Sequence, residues 1–210
     1  LPAAPAPSPD PEEPRILVFD LETRRLARDV GGWGNKHLMG VSVAVAHDSR
    51  TRDFHVFREE ELPALIRRLQ DADLVVGFNI KSFDYAVLGA YTAVDLSRLP
   101  TFDILEAIHQ RLGYRLSLAH LAQATLGQGK TADGVQAVQW YRQGQWDPLI
   151  AYCRSDVALT RDLFRHALDR GYLLYNDRLS RTVRLPTPWR LDELLPPASR
   201  SASPLPDRGA

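Results

Sequence analysis

Arg15-Ile16-Leu17-Val18-Phe19-Asp20-Leu21-Glu22-Thr23 is the stretch from which the rest of the chain can be read. Four consecutive apolar residues, Ile16 to Phe19, have the length of a buried strand rather than of a helix. Two acids, Asp20 and Glu22, close that strand. Side chains at i and i+2 of a strand project from the same face, so both carboxylates can reach one cation. Taken alone, an Asp-x-Glu pattern after a strand is weak, and solvated acids explain it more simply.

The flanking segments set this strand in a sheet. Residues 38–46 alternate and are rich in Val, and residues 53–57 follow a polar turn, which predicts two further strands. A helix is expected over 59–69: Leu62, Leu65, Ile66 and Leu69 share one face, and Glu59 to Glu61 favour its N-terminus. Residues 73–78 read as a fourth strand, 82–91 as a helix and 101–103 as a short fifth strand. Helices follow at 104–112, 117–126, 134–143 and 147–170, with Gly113 and Gly127 where helix C-caps belong. Residues 173–175 and 182–185, around Asn176-Asp177, suit a closing hairpin. Three strands followed by alternating helix and strand indicate an α/β fold with a mixed sheet.

The 210 residues suffice for one domain, and a hydrophobic share of 44% with 25% charged residues is ordinary for a globular chain. Lys plus Arg equals Asp plus Glu at 26 each, so any polyanion surface must arise from local arrangement. Six of the first 14 residues are Pro, and six more lie between Pro186 and Ala210. The expected organisation is a flexible segment at 1–14, a folded domain at 15–190 and a Pro/Ser-rich tail at 191–210. The chain opens on Leu, which fits a piece of a longer polypeptide. A single cysteine, Cys153, excludes an intrachain disulfide and suits a cytoplasmic location. No apolar run nears the roughly 18 residues of a membrane span.

Two more acids have apolar surroundings. Asp84 ends the stretch Asn79-Ile80-Lys81-Ser82-Phe83-Asp84, after the fourth strand. Asp156 lies four residues after Tyr152 in the long helix, on a face that continues towards Leu159 and Leu163. An ionised carboxylate there should be paired or metal-bound. An all-oxygen ligand set suits Mg²⁺ or Mn²⁺ rather than zinc. Two such ions about 4 Å apart activate a water and stabilise the leaving oxygen of a phosphoryl displacement. Each acid has a bland reading, as a turn, a helix cap or a surface charge. Their joint occurrence, in this order and on these elements, makes the bland reading much the weaker one.

At this point the residues resemble a family. Phe19-Asp20-Leu21-Glu22-Thr23 resembles the first motif of the DEDD exonucleases, Asn79 to Asp84 the second, and Tyr152-Cys153-Arg154-Ser155-Asp156 the third in its tyrosine form. The histidine form would place His at 151, which is Ala151. Residues 15–187 look more specifically like the YprB-like ribonuclease H-like domains, predicted exonucleases of which some lie beside helicase modules. The resemblance implies a ribonuclease H-like fold, with a five-stranded mixed sheet flanked by helices and its second strand antiparallel. It implies a 3′-to-5′ exonuclease acting on the 3′ end of single-stranded DNA or RNA, with a helicase as possible partner or fusion and no membrane. Two divalent cations would be held by Asp20, Glu22, Asp84 and Asp156. Tyr152 would orient the attacking water, Thr23 would lie near the terminal nucleotide, and Asn79 would support the substrate. A phenol with a pKa of about 10 is a poor base at neutral pH, so the metal would do most of the deprotonation.

Other residues carry weaker signals. Asp103 suits a helix cap better than a ligand, Asp162 a solvated helix surface and Cys153 a small buried side chain. Trp33, within Gly31-Gly32-Trp33-Gly34, can stack on a base or pack on the core. Lys81, Lys130, Arg154 and Arg161 are candidate phosphate contacts, though surface charge is their commoner role. His109, His120 and His166 lack ligand spacing. Gly127-Gln128-Gly129-Lys130-Thr131 lacks the spacing of a phosphate loop, and no strand leads into it. Two rivals use the same residues: a catalytically weak nucleic-acid-binding module serving a helicase or polymerase, and a structure-specific endonuclease. The presence of all four acids and Tyr152 favours an enzyme over the binding module, and end-blocked substrates would distinguish the endonuclease.

Overall fold

The computed structural model describes residues 13–129 and 132–197. Five strands, β1 (Ile16–Thr23), β2 (Val41–Asp48), β3 (Phe54–Arg58), β4 (Leu74–Gly77) and β5 (Thr101–Asp103), form one sheet in the order β3-β2-β1-β4-β5. β2 runs antiparallel to β1 and β3, while β1, β4 and β5 are parallel. The mixed five-stranded sheet with a reversed second strand is therefore present. Around it lie α1 (Leu62–Gln70), α2 (Asp84–Leu88), α3 (Ile104–Leu112), α4 (Leu118–Leu126), α5 (Gly134–Arg142) and the long α6 (Trp146–Arg170). A hairpin of β6 (Tyr172–Asn176) and β7 (Thr182–Pro186) and a short α7 (Leu191–Leu194) complete the order.

The unbroken apolar run of β1 follows from its central place. Leu17, Phe19 and Leu21 enter one core with Leu62, Leu65 and Leu69 of α1 and Leu88 of α2. Val18 enters the opposite core with Ile108, Leu121, Val157 and Leu163. A strand covered on both faces needs apolar residues at every position, not at alternate ones. Each of these fully buried side chains stabilises the fold by roughly 1.5–3 kcal/mol relative to exposure. The alternation also fixes the acids: Asp20 and Glu22 share the face of Val18, the face that α6 covers.

α6 buries Leu149, Tyr152, Cys153, Asp156, Val157, Thr160, Leu163, Phe164 and Ala167. That is a stripe at helical spacing with one acid inside it. Gly171, at φ 72°, ends the helix in the left-handed conformation that glycine adopts without strain. Residues 59–61 and 89–91 are 3-10 turns beside α1 and α2, so the helix expected over 82–91 is shorter and broken. Residues 27–30 and 33–38 also form 3-10 turns, too short for any periodicity to announce them. The folded unit runs beyond residue 190: Leu191–Leu194 is helical and Leu195 is buried in the α6-side core, while Trp189 packs edge-on against Phe102 at 4.8 Å. Apolar residues between prolines were enough to anchor the start of that segment. Residues 1–12 and 198–210, the bulk of both expected tails, lie outside the described residues. No helix among the described residues is long and apolar enough to cross a membrane.

Candidate active site

β1 pairs with β4 only over Ile16–Val18, whereas its pairing with β2 continues to Thr23. The two parallel strands therefore part at their C-terminal ends, the position where open α/β sheets place their ligands. The register with β2 shifts between Glu22 and Thr23, a bulge that bends the end of β1. Asp84, at the head of α2, fills the gap on the β4 side: its Oδ1 accepts the Leu21 N–H at 3.1 Å. Asp156 reaches the same place from α6.

Carboxylate oxygens of Asp20, Glu22 and Asp156 lie within 4.8 Å of one another, and the last two side chains are buried. Asp84 stands outside that trio but close by. Cys153, one position along α6 from Tyr152, registers all four acids. Burial, followed by the charges of Asp20, Glu22, Asp156 and Asp84, pushes its thiol well above the ordinary range. Its Sγ donates to the Asp20 carbonyl at 3.5 Å and lies 3.8 Å from Asp20 Oδ2. Burial likewise pushes the Asp84 carboxyl up to about 7; the Leu21 N–H opposes that rise, and the charge of Asp103 adds to it. Crowded, buried carboxylates of this kind need a compensating positive charge. The donor set is oxygen only, so it fits hard divalent cations.

Asp103 has more to do than cap α3. Its Oδ1 accepts the N–H groups of Leu105 and Glu106, the cap expected, and also that of Asn79 at 2.8 Å; its Oδ2 accepts Lys81 N–H at 3.0 Å. One buried carboxylate thus pins the loop that delivers Asp84. Gly77 tightens the entry to that loop, since a Cβ there would sit 2.3 Å from the Ile80 side chain. Asn79 adopts φ 71°, a left-handed conformation that Asn tolerates better than most residues.

Two cavities flank the acids. One, of about 480 Å³, is lined by Glu22, Thr23, Met39, Phe83 and Trp33. Trp33 is 67% exposed and meets Phe83 edge-on at 6.1 Å, so it does not belong to the core. Thr23 is buried, and its hydroxyl donates to the Arg25 carbonyl at 2.9 Å. The other cavity, of about 460 Å³, is lined by Asp20, Asp156, Asn79 and Arg115. Tyr152 is buried one helical turn before Asp156, with its ring edge-on to Trp140 at 6.1 Å.

Three of the four candidate phosphate contacts have partners within the protein, in keeping with their commoner role. Lys81 pairs with Glu106 at 2.7 Å, Arg161 pairs with Asp162 at 2.9 Å, and Arg154 lies over the Phe54 ring. Lys130 lies outside the described residues. Arg115, which no motif singled out, is the cation at the mouth of the second cavity. Its only sequence signal was a charge between two helices.

The RNase_H_2 family model of the RNase H superfamily matches residues 17–168, from β1 through most of α6. No curated protein matches the chain. Among solved structures, the family B DNA polymerase from the hyperthermophilic archaeon Pyrobaculum calidifontis superposes with a TM-score of 0.57 at 17% identity. The match covers 74% of this chain and 25% of the polymerase, so the likeness is one of fold over a quarter of that protein's length. With its reversed second strand, acids at the end of β1 and a matched span covering most of the domain, the chain belongs to the RNase H superfamily.

Proposed function

We propose that the chain is a 3′-to-5′ exonuclease that hydrolyses phosphodiester bonds at the 3′ end of a DNA or RNA strand. The observation that carries this reading is the convergence of Asp20, Glu22 and Asp156 within 4.8 Å at the open end of β1. Asp20, Glu22, Asp84 and Asp156 would hold two divalent cations, Mg²⁺ or Mn²⁺. Bound there, such ions supply an activated water and charge stabilisation for the leaving oxygen.

The chain's own groups do the rest. Tyr152 shares the α6 face of Asp156, and in this reading its hydroxyl aligns the attacking water. The apolar cavity at Thr23, Phe83 and Trp33 takes the terminal nucleoside, whose base has an aromatic surface to stack on. Asn79 faces the strand on the other side. Nuclease activity in general is what the superfamily supports; the direction rests on the resemblance of the three motifs, and the cation number on the count of four acids.

A time course on 5′-labelled single-stranded DNA and RNA with Mg²⁺ or Mn²⁺ tests the reading. The expected result is a stepwise ladder that excess EDTA abolishes and a 3′-phosphate blocks. Cleavage that persists in EDTA, or early internal cuts in a circular single strand, would overturn it.

A further inference from the structure

We propose that Arg115 and Asn79 form a phosphate subsite for the phosphodiester one position 5′ of the scissile bond. The proposal rests on the exonuclease reading above and extends it from the reacting bond to the strand behind it. Arg115 Nη2 donates to Asn79 Oδ1 at 2.6 Å. The guanidinium is thus oriented by a neutral amide, and no carboxylate among the described residues pairs with it. Lys81, Arg24 and Arg142 are different: each has an acid partner, Glu106, Glu59 and Asp29 respectively. Arg115 stands at the wall of a cavity that Asp20 and Asp156 also line.

The amide that orients it is itself fixed. Asn79 is held in the left-handed region, and its N–H is bound to the buried Asp103. The same Asp103 oxygen caps α3, so the loop is tied to a helix rather than left to solvent. A guanidinium delivered this way presents several N–H donors in one plane, the arrangement that matches phosphate oxygens.

The location follows from the two cavities. The one beside Glu22 and Thr23 is apolar and suits a nucleoside. The one beside Asp20 and Asp156 is less apolar, with Asn79, Ser117 and Arg115 in its wall, and carries the cation. With the scissile phosphate at the carboxylates between them, the terminal residue enters the first cavity. The next phosphate along the strand lies in the second. A trinucleotide supplies that phosphate; a dinucleotide with a free 5′-hydroxyl does not.

The test is a double cycle of protein and substrate. A trinucleotide is prepared with either an ordinary or a neutral methylphosphonate linkage one position 5′ of the scissile bond. In the wild type, neutralising that linkage should lower kcat/KM by about 10- to 100-fold, the span expected for one charge-assisted contact. In Arg115→Met, the charged and neutral substrates should be turned over at the same rate. Arg115 is exposed, so the variant should melt with the wild type, and melting is measured alongside. Equal turnover of both substrates by the wild type, or undiminished discrimination in the variant, would overturn the subsite. If the wild type cleaves neither substrate, the exonuclease reading fails. The same cycle is then run as anisotropy binding of the labelled trinucleotides in Ca²⁺, where loss of discrimination in Arg115→Met still supports the subsite and its persistence overturns it.

Discussion

Replacing Asp84 by Asn should stabilise the metal-free protein, and should do so only above acidic pH. Asp84 is 2% exposed, and burial pushes its carboxyl from an ordinary 3.8 up to about 7. The folded state therefore keeps a proton that the unfolded chain releases near pH 4. Stability falls as the pH rises from about 4 to about 7 and is level beyond. A shift of about 3 pKa units corresponds to about 4 kcal/mol of ionisation cost at pH 8. Asn carries no charge and can still accept the Leu21 N–H, but its amide N–H₂ must be accommodated at a cost of about 1–2 kcal/mol. The net gain should be about 2 kcal/mol, or roughly 4–8 °C in melting temperature for a domain of this size. Calorimetry in EDTA at pH 4, 6 and 8 measures it: the gap should be absent or reversed at pH 4 and open by pH 8. In saturating Mn²⁺ the order should invert, because the wild type gains cation binding that the variant has weakened. A gap of the same size at all three pH values would refute the argument, since it would show that charge burial is not its source.

Tyr152→Phe keeps the ring against Trp140 and removes only the hydroxyl; turnover should fall by about 10- to 1000-fold with melting unchanged. An unchanged single-turnover rate with a lowered melting temperature would remove Tyr152 from the reaction. Asp103→Ala releases four backbone N–H groups at once, so stability should fall by about 2–4 kcal/mol, with cleavage impaired as the Asp84 loop loosens. Wild-type cleavage in a folded variant would show that the loop holds its shape without that carboxylate. Arg15→Met should cost about 3 kcal/mol at neutral pH, because the fully buried Asp48 loses contacts from Arg15 at 2.6 and 2.9 Å. Burial raises the Asp48 carboxyl, and Arg15, the Arg50 N–H and Arg68 together hold it below its ordinary value. That contribution is present above about pH 4 and is lost below it, so denaturant titrations of the two proteins should converge in acid.

What the sequence made legible was whatever a local period encodes. The strand geometry of β1 put Asp20 and Glu22, two residues apart, on one face, and the helical stripe of α6 put Asp156 and Tyr152 on another, so three of the acids could be brought together in principle. Asp103 was legible as a cap because capping is local. Its second task was not, because the N–H groups of Asn79 and Lys81 lie more than 20 residues away. Arg115 was hidden for the same reason: its partner is 36 residues distant, joined only through the path of a loop. Lys81 and Arg161 looked available for phosphate because sequence shows a charge without its partner; Glu106 and Asp162 are those partners. Leu195 was read into the tail because proline content marks where regular hydrogen bonding stops, and not where burial stops.

Cys153 is the chain's single thiol, and it lies wholly buried against the Asp20 main chain. A thiol reagent can reach it only when α6 lifts from β1. If reclosing outpaces the reagent, the labelling rate reports the equilibrium constant of that opening multiplied by the intrinsic rate of the exposed thiol. The native sequence thus contains its own clock for the breathing of the wall that carries Asp156, with no probe to insert and no second cysteine to confuse the count. A cation that drew Asp20 and Asp156 together would slow the clock, and the concentration at which it slows would give the affinity of the site without a single bond being cut.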